Sequence, residues 1–352
     1  MTAVTRTFVG LASPKLPRAG AGGHPCQGLY WTKEGERPRV ALIAAHYNVD
    51  FAEHYSAPYF AARGFGFLGW NTRYRGAEDL FHLEHALADI AVGVRWLREQ
   101  GVETVVLLGN SGGGSLMAAY QAESEDTGDL YISLNAHPGR PEVLTNWMDA
   151  SVADEGDPVA TEAALDPFDP KNGPPFSQEF VARYRAAQAA RNHRITRWAQ
   201  EELERLNAAG IPDRIFPLFR TWADLRFIDS AIEPTERPCP ACYAGPPNLA
   251  NRGPFGIGRA STLRTWLSMW SLETSRCQGP PQLAKLTVAA LVVQSMADMG
   301  VFPSDAHKIY DSIASADRTL AFVKGAHYFE DAETHREAAI DLMARWIRER
   351  VP

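Results

Sequence analysis

The run Leu107-Leu108-Gly109-Asn110-Ser111-Gly112-Gly113 sets a serine between glycines two positions away on either side. Serine attacks a carbonyl carbon only when a neighbouring base takes its proton. The surroundings of Ser111 suit that use. An apolar run before it reads as a strand, and the small residues after it open a helix. Small neighbours let the chain turn sharply and lift the side chain into the open. The helix start also supplies unpaired backbone N–H groups and the positive end of the helix dipole, both suited to an oxyanion. A phosphate loop would want a lysine after its glycines, and none is present.

In the chain order that accompanies this motif, an acid and then a histidine follow the serine. Four of the ten histidines lie far downstream: His193, His307, His327 and His335. His327 stands in Lys324-Gly325-Ala326-His327-Tyr328, just past the last apolar run, where a loop returns toward the sheet edge. It is the expected general base. His307 and His335 lie in helix-like stretches, and His193 is flanked by Asn192 and Arg194; all three read as surface residues. Asp298 ends the run Leu291-Val292-Val293-Gln294-Ser295-Met296-Ala297-Asp298 and is the expected acid, holding one imidazole tautomer and stabilising the imidazolium. Asp305 is the alternative, although after Ser304 it suits the first turn of a helix capped by that serine better.

These residues need a scaffold that alternates strands with helices. Residues 39–45, 66–70, 104–108 and 130–134 read as buried strands, being aliphatic without polar alternation. Helices are expected near 57–62, over 115–122, and over 79–99, where Leu83, Ala86, Ile90, Val94 and Leu97 recur at a spacing of three and four. The same rhythm resumes with strands at 288–293 and 320–323 and a helix over 332–348. This order predicts an α/β fold: a mostly parallel, twisted sheet with helices on both faces.

Between about residues 139 and 285 the rhythm breaks. Helical stretches are expected at 177–208 and 261–272, amid much Pro, Gly, Asp and Arg. The expected organisation is therefore a core of residues 1–138 and 286–352 interrupted by a largely helical cap or lid over 139–285. Trp198, Trp222, Trp266 and Trp270 lie in it with Tyr184, Phe219 and Phe227. Aromatics at helical spacing mostly pack, yet some are expected to line an apolar binding face, with Trp266 and Trp270 as candidates. Arg220 and Arg226 are candidates for a substrate carboxylate. The helix carrying Trp266 and Trp270 suits packing on the core or on a second subunit, so a homo-oligomer stands beside a monomer as an expectation.

As a set, these motifs resemble the α/β-hydrolase fold family. Gly109-Asn110-Ser111-Gly112-Gly113 matches its G-x-S-x-G elbow. Ala297-Asp298-Met299-Gly300-Val301-Phe302-Pro303 is similar to its acid loop, with one extra residue before the proline, and Gly325-Ala326-His327 is similar to its late histidine loop. Ala61-Ala62-Arg63-Gly64-Phe65-Gly66 resembles the turn into its fourth strand, whereas Asn71-Thr72-Arg73-Tyr74-Arg75-Gly76 departs from its usual Asp-x-Arg-Gly. The resemblance spans roughly residues 28–138 and 286–350. It implies a Ser111–His327–Asp298 triad and an oxyanion hole with one N–H from Gly112. A second N–H would come from the loop Ala45-His46-Tyr47-Asn48, from Tyr47 or Asn48, where Tyr47 stands in place of the usual glycine. His46 in that loop and His137, after the strand at 130–134, are candidate substrate contacts.

The rest of the chain excludes more than it assigns. Of 352 residues, 45% are hydrophobic and 22% charged, which suits a folded globular chain. Lys and Arg number 35 against 42 Asp and Glu, a net charge of −7, so a nucleic-acid partner is not expected. No apolar run approaches a membrane span, and the first residues lead into no leader-like apolar stretch, so no membrane partner and a cytoplasmic location are expected. Cys239 and Cys242 form a single C-x-x-C; with Cys26 and Cys277 apart, a zinc site is not expected. The expectation is a cofactor-free serine hydrolase acting on an ester or lactone of a small, partly apolar molecule. A C–C bond hydrolase or acyltransferase using the same triad is the alternative within enzymes. A non-catalytic ligand-binding relative is the alternative outside them.

Overall fold

The structure, a computed structural model, describes residues 3–14 and 25–351. Ten strands are present among them: β1 (Val4–Leu11), β2 (Cys26–Lys33), β3 (Val40–Ala45), β4 (Gly66–Asn71), β5 (Thr104–Asn110), β6 (Leu130–Leu134), β7 (Ile215–Pro217), β8 (Ala260–Thr262), β9 (Ala289–Ser295) and β10 (Arg318–Val323). The helices used below are α1 (Ala57–Ala62), α2 (Leu83–Glu99), α3 (Gly113–Glu123), α4 (Arg140–Trp147), α5 (Gln178–Ala208), α6 (Pro303–Ser312) and α7 (Glu333–Arg348).

The chain packs as two units. The first runs to Ala77, continues over Leu83–Gly139 and resumes at Gln278; the second holds Glu78–His82 and Arg140–Cys277. The second unit thus ends at Cys277 rather than at residue 285 and recruits a short piece from near residue 80. The chain leaves and re-enters the first unit at adjacent points, since Gly139 and Gln278 form an antiparallel bridge.

In the first unit, eight strands form one sheet in the order β1-β2-β4-β3-β5-β6-β9-β10. From β4 to β10 the neighbours are parallel, and the β1–β2 and β2–β4 pairs are antiparallel. The central strands are covered on both sides, which is why they read as continuous aliphatic runs. On one face Leu42, Val106, Leu108, Ile132, Leu291 and Val293 pack with Phe60 of α1 and Ile340, Met343 and Ile347 of α7. Each such fully buried side chain contributes about 1.5–3 kcal/mol relative to exposure. After β3 the chain moves to β4 on one side, and after β5 it moves to β6 on the other, so the loops following these two adjacent strands diverge. Such a switch point opens a crevice at the strands' carboxyl ends.

Three expectations shift. The helix expected over 79–99 begins at Leu83, because Glu78–Leu80 is a separate 3-10 turn. There the Glu78 carboxylate accepts from Arg140 at 3.0 Å and from the Gly258 N–H at 3.1 Å. The helix expected over 261–272 opens instead as β8, which pairs with β7. One helical turn, capped by the Thr262 hydroxyl, then runs into a π-helical turn over Trp266–Trp270. The β1–β2 hairpin was not anticipated: the middle of β1 is solvent-exposed and lacks an apolar period.

The second unit has a polar interior. α5 presents buried Tyr184, Gln188, Arg191, Asn192 and Thr196 on one side. Arg191 grips Glu155 with two bonds of 2.7 Å, and Asn192 donates to the Trp270 carbonyl at 2.9 Å. Arg220 is engaged by Asp149 at 2.7 Å and Arg226 by Asp224 at 2.8 Å. Both guanidiniums are therefore committed to internal carboxylates, and the expectation that they hold a substrate carboxylate is corrected. Burial alone would raise the Asp224 carboxyl, but Arg185 and Arg226 beside it hold it well below the usual range. Among the described residues no helix is long and apolar enough to cross a membrane.

Candidate active site

Ser111 lies between the end of β5 and the start of α3 with φ of 57°, a left-handed conformation that costs a non-glycine residue about 1–3 kcal/mol. Surrounding bonds hold it there. Its N–H donates to the Leu134 and Asn135 carbonyls at 3.2 and 3.1 Å, and its carbonyl accepts from Gly114 and His137 at 3.2 and 3.1 Å. The two outer glycines of the motif are required by close approach. A Cβ on Gly109 would stand 2.6 Å from the Gly114 Cα, and one on Gly113 would stand 2.3 Å from the Ala45 carbonyl oxygen. The motif thus seats α3 against β3 and β5 at the switch point.

Asp298 and His327 meet across the loops after β9 and β10. His327 Nδ1 donates to Asp298 Oδ2 at 2.6 Å, and both residues are buried. The other carboxylate oxygen accepts from the Gly300 and Val301 N–H groups at 2.9 and 3.0 Å. Three donors therefore fix the carboxylate, and the imidazole is held as the Nδ1–H tautomer with Nε2 as its basic nitrogen. Asp305, the alternative acid, instead accepts from the Phe302 N–H at 3.0 Å. It caps α6 from within its first turn, and the N-cap is Phe302 rather than Ser304.

Three residues not anticipated from the sequence tie these groups together. Asn135, buried with φ of 43°, donates from Nδ2 to the His327 carbonyl and to Ser295 Oγ, each at 2.7 Å. Its Oδ1 accepts from the Ser295 N–H at 2.7 Å. It therefore links the ends of β6 and β9 to the histidine loop. His54 lies under the elbow, with Nε2 bonded to Asn110 Oδ1 at 3.1 Å and Nδ1 bonded to Ser56 Oγ at 2.8 Å. Burial pushes the His54 imidazole down to about 3, so it is neutral at physiological pH. Tyr328 packs beside His327, with ring centroids 4.3 Å apart and the planes tilted by 57°. Burial pushes that phenol up to about 12. Ser111 after β5 and His327 after β10 are brought to the same edge of the parallel part of the sheet. Such pairs are often loose in free enzymes and tighten with substrate. No sequence pattern singles out these three, because each acts through neighbours remote in the chain.

The loop after β3 is built by His46, whose Nδ1 accepts from the Asn48 and Val49 N–H groups at 3.3 and 3.2 Å. The ring packs edge-on against Phe51 at 5.2 Å, so His46 orders the loop. Asn48 thus turns its N–H onto His46. The Tyr47 side chain is fully buried and bonds Ser115 Oγ on α3 at 3.1 Å, which explains a tyrosine where a glycine is usual. The Gly112 N–H makes no hydrogen bond among the described residues. His137 is buried beside the site, its ring centroid 6.4 Å from that of His327.

Trp266 and Trp270 are fully buried inside the second unit. Trp266 donates to Thr196 Oγ1 at 3.1 Å, and Arg140 lies 4.5 Å from the Trp270 ring centre. They are packing residues, which corrects their reading as substrate contacts. His193 and His335 pair with Glu273 and Asp331 at 2.6 and 2.7 Å, and both are partly exposed. Cys239 and Cys242 point their thiols at different carbonyls, those of Phe227 and Gly245. Among the described residues, no three of His, Cys, Asp and Glu are grouped to hold a metal.

No family model matches the chain, and no curated protein matches it in sequence. Solved structures do match in shape. The structure of DcsB in complex with its substrate analogue is 15% identical, with a TM-score of 0.52 over 93% of this chain and 94% of that one. A soluble variant of monoglyceride lipase from Saccharomyces cerevisiae, solved with a substrate analogue, is 12% identical, with a TM-score of 0.50 over 97% of this chain and 96% of that one. Identities this low carry the fold alone. The chain has the α/β-hydrolase fold.

Proposed function

We propose that this protein is a serine hydrolase of carboxylic esters or lactones. The observation that carries the reading is the buried Asp298–His327 pair at 2.6 Å beside a serine held at positive φ at the switch point of the sheet. Backbone strain of this kind, held in place by surrounding bonds, clusters at functional sites. The similarity to a monoglyceride lipase structure supports it at the level of the fold.

In the proposed mechanism, substrate binding aligns the Ser111 hydroxyl with His327. The hydroxyl proton passes to His327 Nε2 as Oγ bonds to the carbonyl carbon, and the carbonyl π pair moves onto oxygen. The Gly112 N–H and a second N–H from the loop of Tyr47 stabilise that oxyanion; one such donor is worth about 2.7–4 kcal/mol in the transition state. Asp298 keeps the tautomer and stabilises the imidazolium. His327 then protonates the leaving oxygen, and water returns by the same route to release the acid. The polar partner set requires no cofactor for this sequence of steps.

A panel of short p-nitrophenyl esters, alkyl esters and lactones, assayed with the wild-type and Ser111→Ala proteins, tests the proposal. The wild type is expected to turn over at least one class, with a loss of at least about 10³-fold in the variant. Equal turnover by the two proteins would sink it.

A further inference from the structure

We propose that His54 is a positioning residue for the reaction: this one buried imidazole, through Asn110, fixes the backbone carbonyl on which the Ser111 N–H rests, and it joins the elbow to the loops of the oxyanion donors and the general base. The inference rests on the serine-hydrolase reading and gives a role to a group outside the Ser–His–Asp set.

Hydrogen bonds make the first part of the argument. The Ser56 N–H reaches His54 Nδ1 at 3.3 Å, and a backbone N–H can only donate. Nδ1 is therefore the accepting nitrogen, and the ring proton lies on Nε2. That Nε2–H donates to Asn110 Oδ1 at 3.1 Å. The Asn110 amide is oriented in turn, and its Nδ2 donates to the Leu134 carbonyl at 2.8 Å. The same carbonyl accepts the Ser111 N–H at 3.2 Å. A directed chain thus runs from His54 through Asn110 to the carbonyl that holds the nucleophile's own backbone. Ser111 needs such a hold, because its φ of 57° is a conformation that local sterics disfavour.

Ring packing makes the second part. His54 meets Phe51 edge-on, 4.7 Å between centroids, and Phe51 meets His46, which orders the loop after β3, at 5.2 Å. His54 also stacks on Tyr55 at 4.5 Å, and Tyr55 packs against Tyr328 of the histidine loop at 5.4 Å. The elbow, the oxyanion loop and the histidine loop therefore meet through one side chain and its direct neighbours. Such support from behind is what a preorganised site requires of the residues that do not themselves react.

Chemistry makes the third. His54 is buried, as are Asn110 and Ser56. A buried imidazole costs stability unless its nitrogens are bonded, so shape alone would favour a phenylalanine in this aromatic cluster. What phenylalanine lacks is the Nε2–H that orients Asn110. Burial keeps the ring neutral, so the one tautomer persists. In this role His54 moves no proton; it acts only through Asn110 and the packed rings.

The test compares wild type, His54→Phe, His54→Gln, Asn110→Ala and the His54→Phe/Asn110→Ala double variant. Each is read by the rate of fluorophosphonate labelling at Ser111, by kcat and KM on a p-nitrophenyl ester, and by a melting curve that shows it folded at the assay temperature. His54→Phe is expected to lose about 10–100-fold in labelling rate and in kcat, the scale for a slightly misplaced reacting group, with KM within about threefold. His54→Gln, whose amide N–H can stand near the Nε2 position, is expected to recover most of that loss. Asn110→Ala is expected to match His54→Phe, and the double variant to be no worse than the poorer single one, because both cut the same chain. A folded His54→Phe protein that labels at the wild-type rate, no recovery in His54→Gln, or additive losses in the double variant would overturn the proposal while leaving the serine reading intact. If His54→Phe does not fold, Asn110→Ala carries the test alone: it leaves the aromatic cluster in place, and a wild-type labelling rate in it overturns the proposal. Failure of the serine reading looks different, since the wild type then takes no label at Ser111.

Discussion

At the scale of single residues, the account turns on the orientation of one imidazole. Asp298→Asn keeps the size of the side chain but presents an amide to His327 Nδ1, favouring the wrong tautomer. A loss of about 10³–10⁴-fold in kcat is expected with the fold retained, checked by ester kinetics alongside a melting curve. A loss below tenfold would remove Asp298 from the mechanism. The Asp298–His327 pair was legible in the sequence because both residues end apolar runs in the order that a serine elbow demands. Tyr328 and His54 were not legible, since their meaning comes from contacts. His54 bonds Asn110, 56 positions away. His46 was half legible: its loop was identified, but its bonds to the backbone of Asn48 and Val49 show only in three dimensions.

Elements matter here by how closely they approach. A Cβ at Gly113 would meet the Ala45 carbonyl oxygen at 2.3 Å, and the backbone of β3 has little room to yield. Gly113→Ala is therefore expected to push α3 away from β3, lower stability by about 1–3 kcal/mol and reduce turnover, read by chemical denaturation and ester kinetics. Wild-type stability would show that the elbow tolerates the shift. Asn135→Ala tests the joint between β6, β9 and the histidine loop. It strips the buried His327 carbonyl and Ser295 N–H of their partner, at a cost of about 1–3 kcal/mol, and loosens the histidine loop. Stability and turnover are expected to fall together; full activity in a destabilised variant would contradict the positioning role. The central strands were readable from aliphatic runs because both faces are covered. The β1–β2 hairpin was not, because the exposed middle of β1 carries no apolar alternation. The short β8 and the π-helical turn after it escaped for a related reason: aromatic spacing in residues 261–272 fits more than one backbone.

For the whole molecule, buried titratable groups set the pH range of the fold. His54 stays neutral in the fold down to about 3, whereas in the unfolded chain it takes up a proton near its ordinary value of 6.5. The unfolded state then binds more protons below that value, so stability falls as pH drops from 6.5 toward 3. The contribution of one such group is a slope of about 1.4 kcal/mol per pH unit across that window. His54→Gln is expected to flatten the slope between pH 6 and 4 in urea titrations, and an unchanged slope would show that His54 does not govern it. Asp224 acts in the same direction at lower pH: its depressed carboxyl stabilises the second unit above the ordinary aspartate range, and that stability is lost as pH falls through it. The insertion itself was legible as a break in the strand–helix rhythm. Its polar interior was not, because Arg220 and Arg226 look like surface charges until Asp149 and Asp224 are placed beside them.

The central claim is that Ser111 is an activated nucleophile. Its most direct measurement needs no knowledge of the substrate: treat the protein with a fluorophosphonate probe and map the labelled peptide by mass spectrometry, with Ser111→Ala in parallel. A single adduct on Ser111, absent from the variant and lost on denaturation before labelling, is the predicted result. An adduct on another residue that persists in Ser111→Ala, or equal absence of label from both proteins across probes of decreasing size, would contradict the account.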